Sequence, residues 1–195
     1  MKKDIDKFSN FMNGITAAVQ LLNRASKNGY FIEYICLAAS VIDGLLRMGL
    51  ILQHQLVTKS TDILDSLMYQ SDEDKIVSER NIYKKALKKN IISRELFDEL
   101  NDLYNKRNGV IHCYIISHIT TKEVLDIWIE YEKIQQIVKS AVRRIEDEQI
   151  KMGIGMTVAG EGTSKEEMEK IMDEMISEKH GDDVLNKTLK RGKNL

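Results

Sequence analysis

The sequence predicts an all-α fold, an antiparallel helical bundle of four to five main helices with a C-terminal helical appendage. Three observations lead there. The 195-residue chain contains no proline, a residue that turns and strand edges tolerate and helix interiors do not. Its apolar residues recur in steps of three and four over long stretches, which is the period of an amphipathic helix. Between those stretches fall helix stop and start signals, glycine after one helix and Ser or Thr before the next.

Composition narrows the class further. Charged residues make up 30% and hydrophobic ones 43% of the chain, enough for one good core and an appendage but not two large domains. The net charge of −1 excludes a globally basic nucleic-acid binder and leaves room for a local basic face. Cys36 and Cys113 are too few and too far apart for a disulfide framework or a metal knuckle, and read as reduced thiols. Lys2 and Lys3 are followed by Asp4 and Asp6 rather than by the apolar core of a signal peptide. The most hydrophobic stretch, Tyr34 to Leu52, is interrupted by Asp43 and Arg47 and reads as a buried helix rather than a membrane span. A cytoplasmic protein with no membrane partner is the expectation.

Taken in order, Phe8, Phe11, Met12, Ile15, Val19 and Leu22 mark a first helix over residues 6–26. Asn28-Gly29 ends it, because glycine adopts the left-handed conformation at little cost. A second helix is expected over residues 31–57, with Ile32, Ile35, Ala39, Ile42 and Leu46 inward. Asp43 and Arg47, four apart, can pair on one face; they read as an ion pair at the core edge, with lining a site or an interface as the other option. Residues 59–70 fit one short outer helix, and residues 71–74 an acidic loop or helix start. Residues 78–90 form a helix with Ile82, Tyr83, Ala86 and Leu87 inward. Its other face carries Arg80, Lys84, Lys85, Lys88 and Lys89, either a solvated face or one that neutralises RNA phosphates.

Ser93 is an N-cap, with Glu95 in the first turn. The stripe Leu96, Leu100, Leu103 and Tyr104 runs on to Arg107, whose charge must be paired or open to a cavity. The helix is expected to end there, capped or bent by Asn108-Gly109. Thr120 and Glu123 form a capping box for a long helix over 121–151 with Val124, Ile127, Tyr131, Ile134, Val138, Ala141 and Ile145 inward. Residues 1–152 thus make the bundle, and the glycine-rich segment 153–163 reads as a linker. Residues 164–195 carry a Met-rich helix (Met168, Ile171, Met172, Met175, Ile176) and a basic tail. A Met-rich stripe suits docking on the bundle itself, a second subunit or a partner.

The chemistry concentrates in Arg107-Asn108-Gly109-Val110-Ile111-His112-Cys113-Tyr114. An arginine and a histidine five positions apart arise by chance in about one chain in five of this length, and the added Asn and Tyr lower that below roughly one in a hundred. Asn108 and His112 are four apart and share a helix face. Arg107 and His112 lie about 140° apart on an ideal helix, so one straight helix does not aim both at one atom. Either Gly109 distorts the backbone or two chains supply the site.

This stretch, in its helical context, resembles the signature of HEPN domains, many of which are small ribonucleases of toxin–antitoxin and phage-defence systems. The resemblance implies a homodimer whose composite cleft cleaves RNA without metal or cofactor. His112 would be the general acid–base and Arg107 would stabilise charge on the phosphate, with Asn108 in support, leaving a 2′,3′-cyclic phosphate end. In a subset of similar toxins a nucleotidyltransferase antitoxin adds adenylate to the tyrosine at the Tyr114 position, making Tyr114 a supporting residue or a modification site. The competing reading is a non-catalytic HEPN-like module that docks a nucleotidyltransferase or defence partner. A third is nucleotide binding without cleavage. His118 is a secondary site candidate, whereas His54 and His180 are incidental.

Overall fold

The computed structural model describes residues 2–70, 74–157 and 164–180, with side chains from residue 7 onward except that of Lys165. Six helices account for most of it: α1 (Lys2–Asn28), α2 (Phe31–Thr58), α3 (Glu79–Lys88), α4 (Arg94–Cys113), α5 (Thr121–Met152) and α6 (Lys165–His180). The described residues contain no strand, so the protein is all-α.

The core lies along α2. Its 18-residue most apolar window is long and hydrophobic enough to cross a membrane, but 67% of that window is buried inside the bundle. Ile35, Ala38, Ile42, Leu46 and Ile51 are fully buried there. α2 makes its most extensive contact with α5, the two running in the same direction: Phe31 and Tyr34 meet Trp128 at one end, and Gln55 meets Gln149 at the other. The inward stripe differs from expectation at Ile32, which is 41% exposed. The helix begins only at Phe31, and it is the Phe31 ring that turns in, onto Trp128.

The segment after α2 is not the outer helix that its pattern suggests. Lys59 closes α2 in the left-handed conformation, and the chain continues with a single 3-10 turn at Asp65–Leu67. The Arg47 guanidinium gives the physical reason. It pairs with Asp43 at 2.6 Å, and it also donates to the carbonyls of Leu67 and of Val77, the latter at 2.8 Å. These backbone acceptors are thereby satisfied outside a helix, while Leu67 and Met68 bury their side chains. The Asp43–Arg47 pair is thus the structural tie at the core edge. Residues 71–73, within the acidic loop, lie outside the described residues.

The start of the glycine-rich segment is held by two buried glutamines. Gln149 Nε2 donates to Leu52 O and to Gln55 Oε1, both at 3.0 Å. Gln149 Oε1 accepts from the Thr157 amide and hydroxyl, at 3.1 and 2.7 Å. Gly155, at φ +86°, lies where an added Cβ would sit 2.4 Å from the Gln149 amide, so a side chain there would have to displace that buried, hydrogen-bonded group. Residues 158–163 and the basic tail lie outside the described residues. α6 starts on the expected Ser164–Glu167 capping box and docks on α1. Ile176 is buried there, and Asn13 Nδ2 donates to Glu178 Oε2 at 2.5 Å. Met168, Ile171 and Met172 stay exposed.

Candidate functional site

α4 carries the signature stretch, and four ties set its position. Ser93 Oγ caps its N-terminus by accepting from Leu96 N at 3.2 Å. Tyr131 Oη of α5 donates to Leu103 O at 3.2 Å. Lys106 bridges to Glu130 of α5 at 2.7 Å. Tyr114 Oη and Thr121 Oγ1 lie 3.0 Å apart where α4 and α5 are joined. The helix does not end at Arg107: it passes through Asn108 and Gly109 to Cys113. Gly109 is an interior helical residue with room for a methyl group, since an added Cβ would meet Ile119 Cδ1 at 3.5 Å. Of the two geometries open to the sequence, a distortion at Gly109 is therefore absent.

With α4 regular, Arg107 and His112 point to different sides. Arg107 continues the inner stripe between the buried Leu103 and Val110. Its Nη1 donates to Glu79 Oε2 at 2.6 Å, across the contact between α3 and α4. Nε and Nη2 donate to Asn108 Oδ1 at 3.3 and 3.1 Å. The guanidinium also lies 4.7 Å from the centre of the Tyr104 ring, a cation–π distance. Burial opposes the charge on Arg107, and the hydrogen-bonded Glu79 carboxylate outweighs it, so the guanidinium holds its proton more tightly than usual.

Glu79 is the centre of this network. It also accepts a short hydrogen bond from Tyr83 Oη. Burial, followed by the charge of Glu79, pushes the Tyr83 phenol far above its ordinary range. Burial likewise raises Tyr131, although the charge of Arg107 works against it. Asp43 stands in the same field: burial raises its carboxyl, and its bonds to Arg47 only partly oppose that. Glu79 was not singled out in the sequence. The signal was an acid in the first turn of α3 one turn before Tyr83, which reads equally well as a helix-dipole residue.

Asn108 and His112 share the outward face. His112 is exposed and makes no hydrogen bond to the described residues. Next to it in the chain are the exposed apolar side chains Ile111, Ile115 and Ile116, at 44%, 94% and 83% exposure. Tyr114 is half-buried and borders a cavity with Tyr30, Phe31 and Thr121. His118 is exposed in the turn before α5. Thus α4 links Arg107 to Asn108 directly and carries Asn108 and His112 on one side, but it does not bring the Arg107 guanidinium and the His112 ring together within one chain.

The basic face divides in two. Arg80 is occupied: it lies 4.5 Å from the centre of the Tyr104 ring and donates to Asn105 Oδ1 at 2.7 Å. Lys84, Lys85, Lys88 and Lys89 are exposed and carry no ion pair among the described residues. Lys85, Lys88 and Lys89 border a groove with His54, Leu50 and Leu64. The described residues gather no group of three or more His, Cys, Asp or Glu suited to holding a metal ion.

Comparison with known proteins gives no match to a family model, a curated protein or a solved structure.

Proposed function

We propose that this protein is a HEPN-type endoribonuclease, a toxin or phage-defence effector, whose site is completed by a second copy of the chain. One observation carries the reading. Asn108 joins the half-buried Arg107 guanidinium to the helix face that bears His112, and the exposed Ile111, Ile115 and Ile116 lie within four residues of His112 in the chain. Three neighbouring isoleucines in water around a polar signature favour an interface, and a second α4 brought against this face supplies the missing half.

In that cleft the His112 imidazole of one copy takes the proton of the ribose 2′-hydroxyl, whose oxygen attacks the adjacent phosphorus. The bond to the 5′-oxygen breaks, and that oxygen receives a proton from the second copy's imidazolium. The products are a 2′,3′-cyclic phosphate and a 5′-hydroxyl, so RNA is required and DNA is inert. Arg107 has five N–H donors and retains some beyond those given to Glu79 and Asn108, available to the charge developing on the phosphate. The exposed Lys84, Lys85, Lys88 and Lys89 provide backbone contacts. The test is RNA cleavage by the purified protein and growth arrest on its expression. Both are expected to vanish in His112→Ala and in Arg107→Ala, with folding checked by circular dichroism. A folded wild type that neither cuts RNA nor slows growth overturns the proposal.

A second reading is supported by the Glu79–Arg107 pair. A guanidinium already neutralised by a carboxylate suits a structural arginine in a non-catalytic docking module, one that engages a nucleotidyltransferase or another defence partner. Partner binding that survives His112→Ala and is lost on deleting residues 153–195, without any nuclease activity, favours this module.

A further inference from the structure

The cavity beside Tyr114 has a chemistry that the cleavage reaction does not use. It occupies about 280 Å³ between the start of α2 and the junction of α4 with α5. Pockets for drug-sized ligands run from roughly 300 to 1,000 Å³, so this one suits a single ring system. It is lined by Tyr30, Phe31 and Tyr114, with Ile32 alongside. Tyr30 is 51% exposed. Phe31 is backed by Trp128 at 5.4 Å between ring centres, which fixes the wall. Two polar groups serve this apolar space. Glu33 is exposed and has no ion pair or hydrogen bond among the described residues. The Tyr114 and Thr121 hydroxyls form a pair in which either oxygen can be the donor.

We infer that this cavity is a nucleobase pocket that selects a guanine of the RNA on which the protein acts. The inference rests on the ribonuclease reading for its purpose and on the cavity's own chemistry for its ligand. Aromatic walls favour a flat ring by stacking, the usual way single-stranded RNA is held. A carboxylate is an acceptor at both oxygens. Guanine is the RNA base that presents two adjacent donors, N1–H and the N2 amino group, and so it satisfies both oxygens. Adenine sets its N1 acceptor beside its amino donor, cytosine sets N3 beside its amino group, and uracil flanks one donor with two acceptors. Each of these turns a lone pair toward Glu33. The hydroxyl pair then donates to O6 or N7 of guanine. A site built on hydrogen bonds to the ligand discriminates strongly against analogues that leave its groups unpaired.

The chain's single tryptophan, Trp128, lies directly behind Phe31 and reports occupancy. GMP, AMP, CMP and UMP are titrated against the full-length protein while Trp128 emission is followed, with isothermal titration for any nucleotide that leaves the emission unchanged. GMP is expected to bind at least tenfold more tightly than the other three. Glu33→Gln is expected to lower GMP affinity at least tenfold and to leave AMP affinity as it was, while Tyr30→Ala weakens all. Equal affinities, no binding by either method, or an unchanged preference in Glu33→Gln overturns the inference. Cleavage assays on RNA with and without guanosine separate it from the ribonuclease proposal. Cleavage indifferent to guanosine overturns the pocket and leaves the nuclease standing. Selective GMP binding without cleavage of any RNA upholds the pocket and overturns the nuclease.

Discussion

Arg107 Nη1 and Glu79 Oε2 meet at 2.6 Å with their side chains 14% and 16% exposed, which makes the residue best placed for phosphate chemistry also a tie between α3 and α4. Breaking one side of a buried pair strands the other charge, at a cost of about 3 kcal/mol. Glu79→Ala is expected to lose about that much in urea unfolding, since it strands both Arg107 and the Tyr83 hydroxyl. In a double-mutant cycle, Glu79→Ala with Arg107→Ala costs well under the sum of the single changes. His112→Ala, on the exposed face, changes stability by less than about 0.5 kcal/mol. Additive losses at 79 and 107 speak against the coupling.

The Asp43 carboxyl gives a pH signature. Burial raises its folded-state pKa, with the bonds to Arg47 opposing. For an acid raised in the folded state, the protonated form is favoured by folding. Its contribution to stability is then fully present below the unfolded pKa and lost as pH rises through the folded one. Comparing the wild type with Asp43→Asn isolates this group. The stability difference is expected to move in favour of the wild type as pH falls from neutrality toward the ordinary carboxylate range. A difference that moves the other way means that Arg47 dominates the site.

Three glycines separate conformational need from spatial need. At Gly155 both apply, because φ is +86° and an added Cβ would sit 2.4 Å from the Gln149 amide; Gly155→Ala is expected to cost about 2–3 kcal/mol. At Gly153 only the backbone objects, with φ +62° and open space, and the cost is about 1 kcal/mol. Gly109 is helical and roomy, so Gly109→Ala stabilises the monomer by about 0.5–1 kcal/mol. If two α4 helices approach closely at this point, the same change weakens dimerisation, which analytical ultracentrifugation reads separately.

Among the described residues, Ile115 and Ile116 are the most exposed of the large apolar side chains, at 94% and 83%. Ile115→Asp with Ile116→Asp is expected to leave thermal stability nearly unchanged, because neither side chain packs within the chain. It is expected to convert a dimer into a monomer in light scattering and to abolish RNA cleavage. An active monomer rules out the composite site.

The sequence alone determined the helical class, the caps at Ser93, Thr120 and Ser164, and the buried stripes of α4, α5 and, apart from Ile32, α2. These depend on residue period and on hydrogen bonds within a few positions, which a linear reading contains. The same reading placed Arg107 at the end of an apolar stripe and required a partner for it. Only the tertiary structure decided which partner, because Glu79 is distant in sequence and reaches Arg107 through the packing of α3 on α4. Tertiary contacts also overruled the local pattern in two places. Arg47 draws the backbone after α2 out of a helix by taking its carbonyls, and the ties from α5 carry α4 unbroken through Asn108-Gly109. The gathering of Tyr30, Glu33, Tyr114 and Thr121 around one cavity has the same origin: three helix ends meet there, and no spacing in the sequence announces it.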